Sequence, residues 1–337
     1  MIDPNVPVSD GDAKRIAKAL ASYCDPRPGR AWLELALSAI PFIVLSMTAV
    51  VGIRFCSWIF LMSSLPAAAF LVRLFMIQHD CGHGSFFHGR HANDTLGRII
   101  GVFTFTPYGY WRHMHARHHA TSGNLDRRGN GDITLLTVRE YRTLSSWRRL
   151  IYRLVRNPAV MLGLGPVYVF VFKQRLPFGM MGRLREGWGS VMVTNLAITA
   201  VLIAGSLLFG TLVFLVAQMT TVVIAGAAGI WLFYVQHQFE GTRWVRDAEW
   251  SFHREAIAGS SHYDLPAPLR WLTANIGIHH IHHLVSRIPC YRLGECLAGV
   301  PELRNINRLT LKDSWGCARL ALWSEQTERL VCFRDAR

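Results

Sequence analysis

The chain has 337 residues, 51% of them hydrophobic, a positive mean hydropathy and a formal net charge of +14. That apolar content lies above the usual range of a soluble domain and is concentrated in a few long runs, which speaks against an ordinary soluble enzyme and for an integral membrane protein. The Lys and Arg residues crowd between and at the ends of those runs without a nucleic-acid-binding motif, so the charge matches anionic lipid headgroups and membrane topology, not nucleic acid.

In chain order, residues 1–30 are polar and mixed in charge, without the arrangement that marks a cleaved signal peptide. Two runs, from about Ala31 to Ile53 and from about Phe55 to Ile77, are each long enough to cross a hydrocarbon core of roughly 30 Å as a helix. Only Gly52-Ile53-Arg54-Phe55 separates them, which predicts a tight antiparallel hairpin. A second pair runs from about Gly187 to Phe209 and from Thr211 to Val235, joined at Phe209-Gly210-Thr211. The expected fold is all-α, with four transmembrane helices in two hairpins (31–77 and 187–235) and a helical cap from 78–186 and 236–337, on the same face as residues 1–30. The segment from Gln78 to Arg185 holds sixteen Lys and Arg, while the two turns offer only Arg54, so the positive-inside rule places the basic face in the cytoplasm. Leu96 to Tyr108 and Pro158 to Phe172 are short for a full span and are expected to be interfacial or partly buried helices.

Three histidine-dense segments carry the chemistry: His79-Asp80-Cys81-Gly82-His83, His115-Ala116-Arg117-His118-His119 and His279-His280-Ile281-His282-His283. Spacings of i, i+3 and i+4 turn the imidazoles of a helical segment toward one side. All three fall on the expected cytoplasmic face, as does His237 at the end of the fourth run. His79, His83, His115, His118, His119, His279, His282 and His283, with His237 as a ninth, are too many for one ion. Imidazole suits Zn, Cu, Fe and Ni, and neither H-E-x-x-H nor C-x-x-C is present. On the residues alone redox iron acting on oxygen stands ahead of zinc hydrolysis, with both left open. The seven cysteines form no C-x-x-C pair, which argues against a disulfide framework and for a reducing compartment; Cys81 is read as a small buried residue beside the site. A metal transporter is the weakest reading, because Glu34 and Arg73 are the main charges inside the spans.

From about Trp32 to Arg292 the chain resembles the membrane-bound fatty acid desaturases, and within them the acyl-lipid delta-12 or omega-6 branch. The likeness rests on His79 to Phe87, Trp111-Arg112, His115 to His119, Gln236-His237-Gln238-Phe239-Glu240 and His279 to Leu284. It implies a non-haem diiron centre that uses oxygen and two external electrons to remove two hydrogens from an acyl chain, leaving a cis double bond. The implied ligands are His79 and His83, then His115, His118 and His119, then His279, His282 and His283, with His237 as an additional one. His280 breaks the spacer of the third box and is expected to point away. His88, His91 and His113 lie off the box spacing, and His253 and His262 have no motif support. Asp80, Asp126, Asp132, Glu240, Asp264 and Asn275 are candidates to orient ligating rings, Asn275 by sharing a helical face with His279. A tunnel lined by the spans and by Phe103 to Tyr110 would hold the fatty acyl substrate, linked to a lipid, coenzyme A or a carrier protein. Arg112, Arg117, Arg127 and Arg128 could meet its polar end. Nothing resembles a fused haem or iron–sulfur domain, so the electrons are expected from a separate, ferredoxin-type carrier, and the setting from a bacterial inner membrane. Hydroxylation, epoxidation or acetylenation on the same scaffold remain open. Carotenoid ketolases and hydroxylases use related boxes, but Trp111-Arg112 and Gln236 to Glu240 fit the acyl group better.

Overall fold

The computed structural model describes residues 8–55, 57–129 and 133–335; Cys56 and Asp132 lie outside these residues. In chain order the helices that position the site are α1 (Asp10–Leu20), α2 (Pro28–Phe55), α3 (Ser57–His83), α4 (Arg90–Phe103), α5 (Tyr108–Thr121), α6 (Val138–Thr143), α7 (Ser146–Val155), α8 (Pro158–Pro166), α9 (Gly189–Phe209), α10 (Thr211–His237), α11 (Phe252–Ala258), α12 (Ala267–Leu272) and α13 (His279–Leu284). The fold is all-α, with only short strands of two or three residues in the cap. Among the described residues four helices, α2, α3, α9 and α10, are long and apolar enough to cross a membrane.

The two hairpins are as tight as the sequence predicts. A Cβ on Gly52 would lie 2.5 Å from the Phe60 backbone nitrogen, so α2 and α3 meet at a distance only glycine allows. Gly210, at φ +91°, reverses the chain between α9 and α10. The helices outlast the apolar runs: α3 continues through Gln78 to His83, and α10 through Gln236 to His237. Polar residues extend these helices because the cap supplies partners for them, so the first box lies within α3, and not after it.

Of the two ambiguous stretches, Leu96 to Tyr108 is helical only to Phe103. Phe105, at φ +55°, turns the chain, and the corner ends where α5 begins. Pro158 to Phe172 forms α8 followed by a π-helical segment, Val167–Phe172, bent by 74° from α7. It lies against α10: a Cβ on Gly226 would come within 2.9 Å of the Phe170 ring and 3.0 Å of Pro166.

Arg73 and Glu34 form an ion pair between α3 and α2, and both are almost fully buried. Arg73 also donates to the Trp271 carbonyl of α12 and lies 4.1 Å over the Trp271 ring, while Arg30 reaches the second Glu34 oxygen at 2.6 Å. This joins the first hairpin to the cap.

Candidate metal centre

Each box is carried by an element with its own anchor. The first occupies the last turns of α3. The second lies on α5, which is set by the corner before it: Thr104 Oγ1 donates to Gln78 Oε1 at 2.7 Å, and Tyr108 Oη lies 2.8 Å from the Cys81 carbonyl and 3.0 Å from Asp94 Oδ1. The Tyr108 ring reaches α3 across Gly97, where a Cβ would lie 2.2 Å from it. The third box, on α13, hangs on the end of α10. The His279 and His280 amides donate to the Ser261 carbonyl at 3.2 and 3.3 Å, and the Ser261 amide donates to the Gln236 carbonyl at 3.0 Å. Behind α13, Ile281 and Leu284 share an apolar cluster with Ile16 and Leu20 of α1.

These anchors bring the nine histidines into one assembly, buried except at the half-buried His83 and His115, with two nitrogen clusters. In the first, nitrogens of His79, His83, His115, His119 and His282 all lie within 4.8 Å of one another. His115 Nε2 is 3.1 Å from His83 Nε2 and 3.0 Å from His119 Nε2, and His282 Nε2 is 3.2 Å from His119 Nε2. The second comprises His118, His237 and His283. His279 joins it, with its Nε2 3.1 Å from His237 Nε2, the same separation as His118 Nε2 to His237 Nε2. The His119 and His283 rings stack at 4.0 Å and bring the clusters into contact.

The donor set fits metal ions. Burial, and after it the neighbouring imidazoles, hold His115, His119, His279, His282 and His283 well below the ordinary imidazole range, so these rings are neutral and present lone pairs. Such nitrogens facing one another at about 3 Å cannot all be satisfied by shared protons. His79 Nε2 and both nitrogens of His283 are buried without a hydrogen-bond partner among the described residues. A cation at the centre of each cluster removes that conflict.

Ring orientation is set from outside the clusters. His237 Nδ1 donates to the Gly259 carbonyl at 3.2 Å, which turns the Nε2 lone pair inward. His79 Nδ1 faces Asp80 Oδ1 at 3.4 Å, and the other Asp80 oxygen accepts the Cys290 amide at 2.6 Å. Trp111 stacks on His115 at 4.6 Å and 15°. Asp80→Asn keeps the shape but weakens the acceptor that fixes His79. Metal affinity should fall about 10- to 100-fold, measured by competition with a chelator.

The remaining candidates fall elsewhere. His280 turns away as expected: its Nε2 lies 3.0 Å from the Leu303 carbonyl, and burial holds its pKa down to about 3. His262 Nδ1 meets the Arg304 carbonyl at 2.7 Å, and His88 and His91 are exposed. Asp126 pairs with Arg246, Asp264 with Arg308, and Glu240 is exposed, so none of these carboxylates orients a box ring. Asn275 does not share a helical face with His279. It sits at φ +61° in the turn before α13 and donates to the Cys290 carbonyl at 3.1 Å. Three of the four arginines expected at the substrate's polar end are paired within the protein: Arg112 with Asp94, Arg127 with Asp247 and Arg128 with Glu140.

A cavity of about 950 Å³ lies beside the histidines, with His79, Trp111, His115 and His279 in its lining. It runs between α3 and α10, touching α10 from Val222 to Gln236, about 21 Å of helix. The stretch Phe103 to Tyr110 contributes only Thr104; α7, α8 and the π-helical segment form the wall in its place. That wall carries no periodic apolar signal, because Gly163, Gly165 and Pro166 interrupt it.

The fatty acid desaturase family model matches residues 56–310. The chain is 42% identical over 321 residues to a fatty acid desaturase of Bacillus subtilis (strain 168), covering 95% of this chain and 91% of the relative. It is 25% identical to an sn-1 oleoyl-lipid 12-desaturase of a Synechocystis species, covering 93% and 85%. To that organism's sn-1 acyl-lipid omega-3 desaturase (ferredoxin) it is 27% identical, covering 74% and 70%.

Proposed function

Because the chain belongs to the fatty acid desaturase family and is an enzyme that desaturates fatty acids, we propose that its nine histidines hold two non-haem iron ions and that it places a cis double bond in a lipid-linked acyl chain. One observation carries the reading: two all-imidazole clusters lie beside a long apolar cavity, with His79, His115 and His279 in its lining. His79, His83, His115, His119 and His282 hold one ion, and His118, His237, His279 and His283 the other. When bound, the iron pair supplies the oxidation of an unactivated methylene pair by oxygen, with two electrons and two protons taken up and two waters released.

The chain's own residues position and exclude. The apolar faces of α3 and α10 hold the acyl chain extended, with His79, His115 and His279 lining the same space as its reacting carbons. The registry of the chain along α10 therefore selects the carbon that reacts, and the likeness to an oleoyl-lipid 12-desaturase supports the delta-12 position. Electrons come from a separate carrier of the ferredoxin type, a reading supported by the relative whose name specifies ferredoxin. The excess of Lys and Arg between the hairpins supports a cytoplasmic location for residues 1–30, 78–186 and 236–337 in a bacterial inner membrane, with 31–77 and 187–235 as the membrane hairpins.

Expression in a host with a simple lipid profile, with double-bond localisation in its lipids and iron analysis of the purified protein, tests the reading. Two irons per chain and a new double bond are expected; stoichiometric zinc, or a hydroxylated product, would overturn it. Gly229 gives a steric probe, since it lines the cavity and a Cβ there meets no atom within 4 Å. Gly229→Ala should be nearly silent. Gly229→Phe should abolish product from long chains while both irons remain.

A further inference from the structure

One wall of the cavity faces two ways. Ile151, Val155, Leu164 and Tyr168 line it, yet they are 42%, 57%, 67% and 61% exposed. Residues that border an internal space and the outside at once stand at an opening, and these four follow one another along α7, α8 and the π-helical segment. With α10 crossing the bilayer, as proposed above, part of that length faces hydrocarbon. Phe170 and Pro166 pack at Gly226, eleven residues before the end of α10 and so about 16 Å along its axis. At that depth Leu164 and Tyr168 are open to lipid chains, where no water-soluble carrier reaches.

The rim of this opening carries a cation. On α7, Arg148, Ile151, Tyr152, Val155 and Arg156 recur at helical spacing and form the stripe that faces the cavity. Trp147, Leu150 and Leu154 are exposed, as befits a helix lying in the plane of the interface. The other arginines of α7 and its end are held within the protein: Arg149 donates to the Leu144 carbonyl at 2.9 Å, Arg153 to Tyr141 Oη at 2.6 Å, and Arg156 to the Thr134 carbonyl at 2.7 Å. Arg148 is exposed at the rim and pairs with no acidic side chain among the described residues.

We propose that an anionic phospholipid enters the cavity sideways from the bilayer through the opening bordered by α7 and α8, with Arg148 holding its phosphate at the rim while one acyl chain slides toward His79 and His279. A guanidinium offers a phosphate two parallel hydrogen bonds and stays charged at any physiological pH. This rests on the acyl-lipid reading above and adds the route and the anchor. Coenzyme A also carries phosphates, so the shared chemistry is an acyl chain on a phosphate ester, and two tracers separate the sources.

Photolabelling tests this without turnover. The iron-loaded protein is reconstituted in phosphatidylglycerol vesicles with a tracer phosphatidylglycerol bearing a mid-chain diazirine. Cross-links are expected on the cavity faces, in peptides covering 71–76 and 226–233, and Gly229→Phe should remove them while leaving those on the outer face of α2. Arg148→Glu should lower cavity labelling about tenfold, the scale of one lost charge-assisted contact, and Arg148→Lys should restore most of it. A diacylglycerol tracer, without phosphate, should not respond to Arg148, which separates a lost anchor from a misfolded variant. Equal cavity labelling by a diazirine acyl-coenzyme A added from the water, or phosphatidylglycerol labelling unchanged in Arg148→Glu, would overturn the proposal. Intact cavity labelling with no double bond formed in any lipid would instead count against the desaturation reading alone.

Discussion

Replacing His282 with alanine is expected to strip the first cluster of its iron and bring double-bond formation down to background. The ring sits among the others of that cluster, 4.5 Å from His79, 4.9 Å from His83 and 4.8 Å from His119 between centroids. No carboxylate belongs to either cluster among the described residues, so no substitute donor stands ready. Iron should fall from about two to about one per chain, measured on purified protein, with membrane insertion unchanged. His280→Ala is the matched control. It lies on the same short helix and is as deeply buried, but its Nε2 meets a carbonyl and not the clusters. That variant should keep both irons and lose only about 1–3 kcal/mol of stability from the broken hydrogen bond. Full iron and product in His282→Ala would sink the ligand assignment.

The second large effect belongs to Arg73. Its guanidinium is shared by Glu34, the Trp271 carbonyl and the Trp271 ring, all in a nearly dry setting. Arg73→Ala leaves the Glu34 carboxylate with only the half-exposed Arg30 as a partner, and breaking such a buried pair costs about 3–5 kcal/mol. The expected result is a steep loss of folded protein in detergent and a lower melting temperature. Iron retention should drop too, because Trp271 lies in the last turn of α12, eight residues before His279. The double variant Glu34→Leu with Arg73→Met removes both charges together and should recover most of the loss, since a buried pair replaced by apolar side chains is often neutral. If the double variant unfolds as readily as the single one, the effect lies in packing against Trp271 and not in the unpaired charge.

Much of this architecture is legible in the residues because membrane hydrophobicity and imidazole spacing are local signals. Four runs of about twenty apolar residues announce the spanning helices, and the boxes announce themselves by i, i+3 and i+4 spacing. His237 is harder, a lone histidine at a helix end whose inward turn depends on the Gly259 carbonyl, 22 residues away. The cavity wall is not legible, because α8 and the π-helical segment are defined by contact with Gly226 and Ile230 of α10 and not by their own periodicity. Nor could the sequence separate Arg148 from Arg127 and Arg128, since which arginine finds a carboxylate partner is decided by tertiary contacts. Asn275 went astray for a backbone reason: with Ala274 and Asn275 both at positive φ, no helix can run from 275 into 279.

The contact between His119 and His282 spans 163 residues, and Ile281 rests on Ile16 and Leu20 of α1. During synthesis both hairpins and the second box leave the ribosome well ahead of residues 279–283, and the earliest helix must wait for nearly the last to cover its apolar side. On the diiron reading proposed above, metal loading is thus a closing event of biogenesis. A nascent chain halted before residue 279 would already be seated in the bilayer yet lack three of the nine imidazoles, leaving an apoprotein for cellular quality control to find.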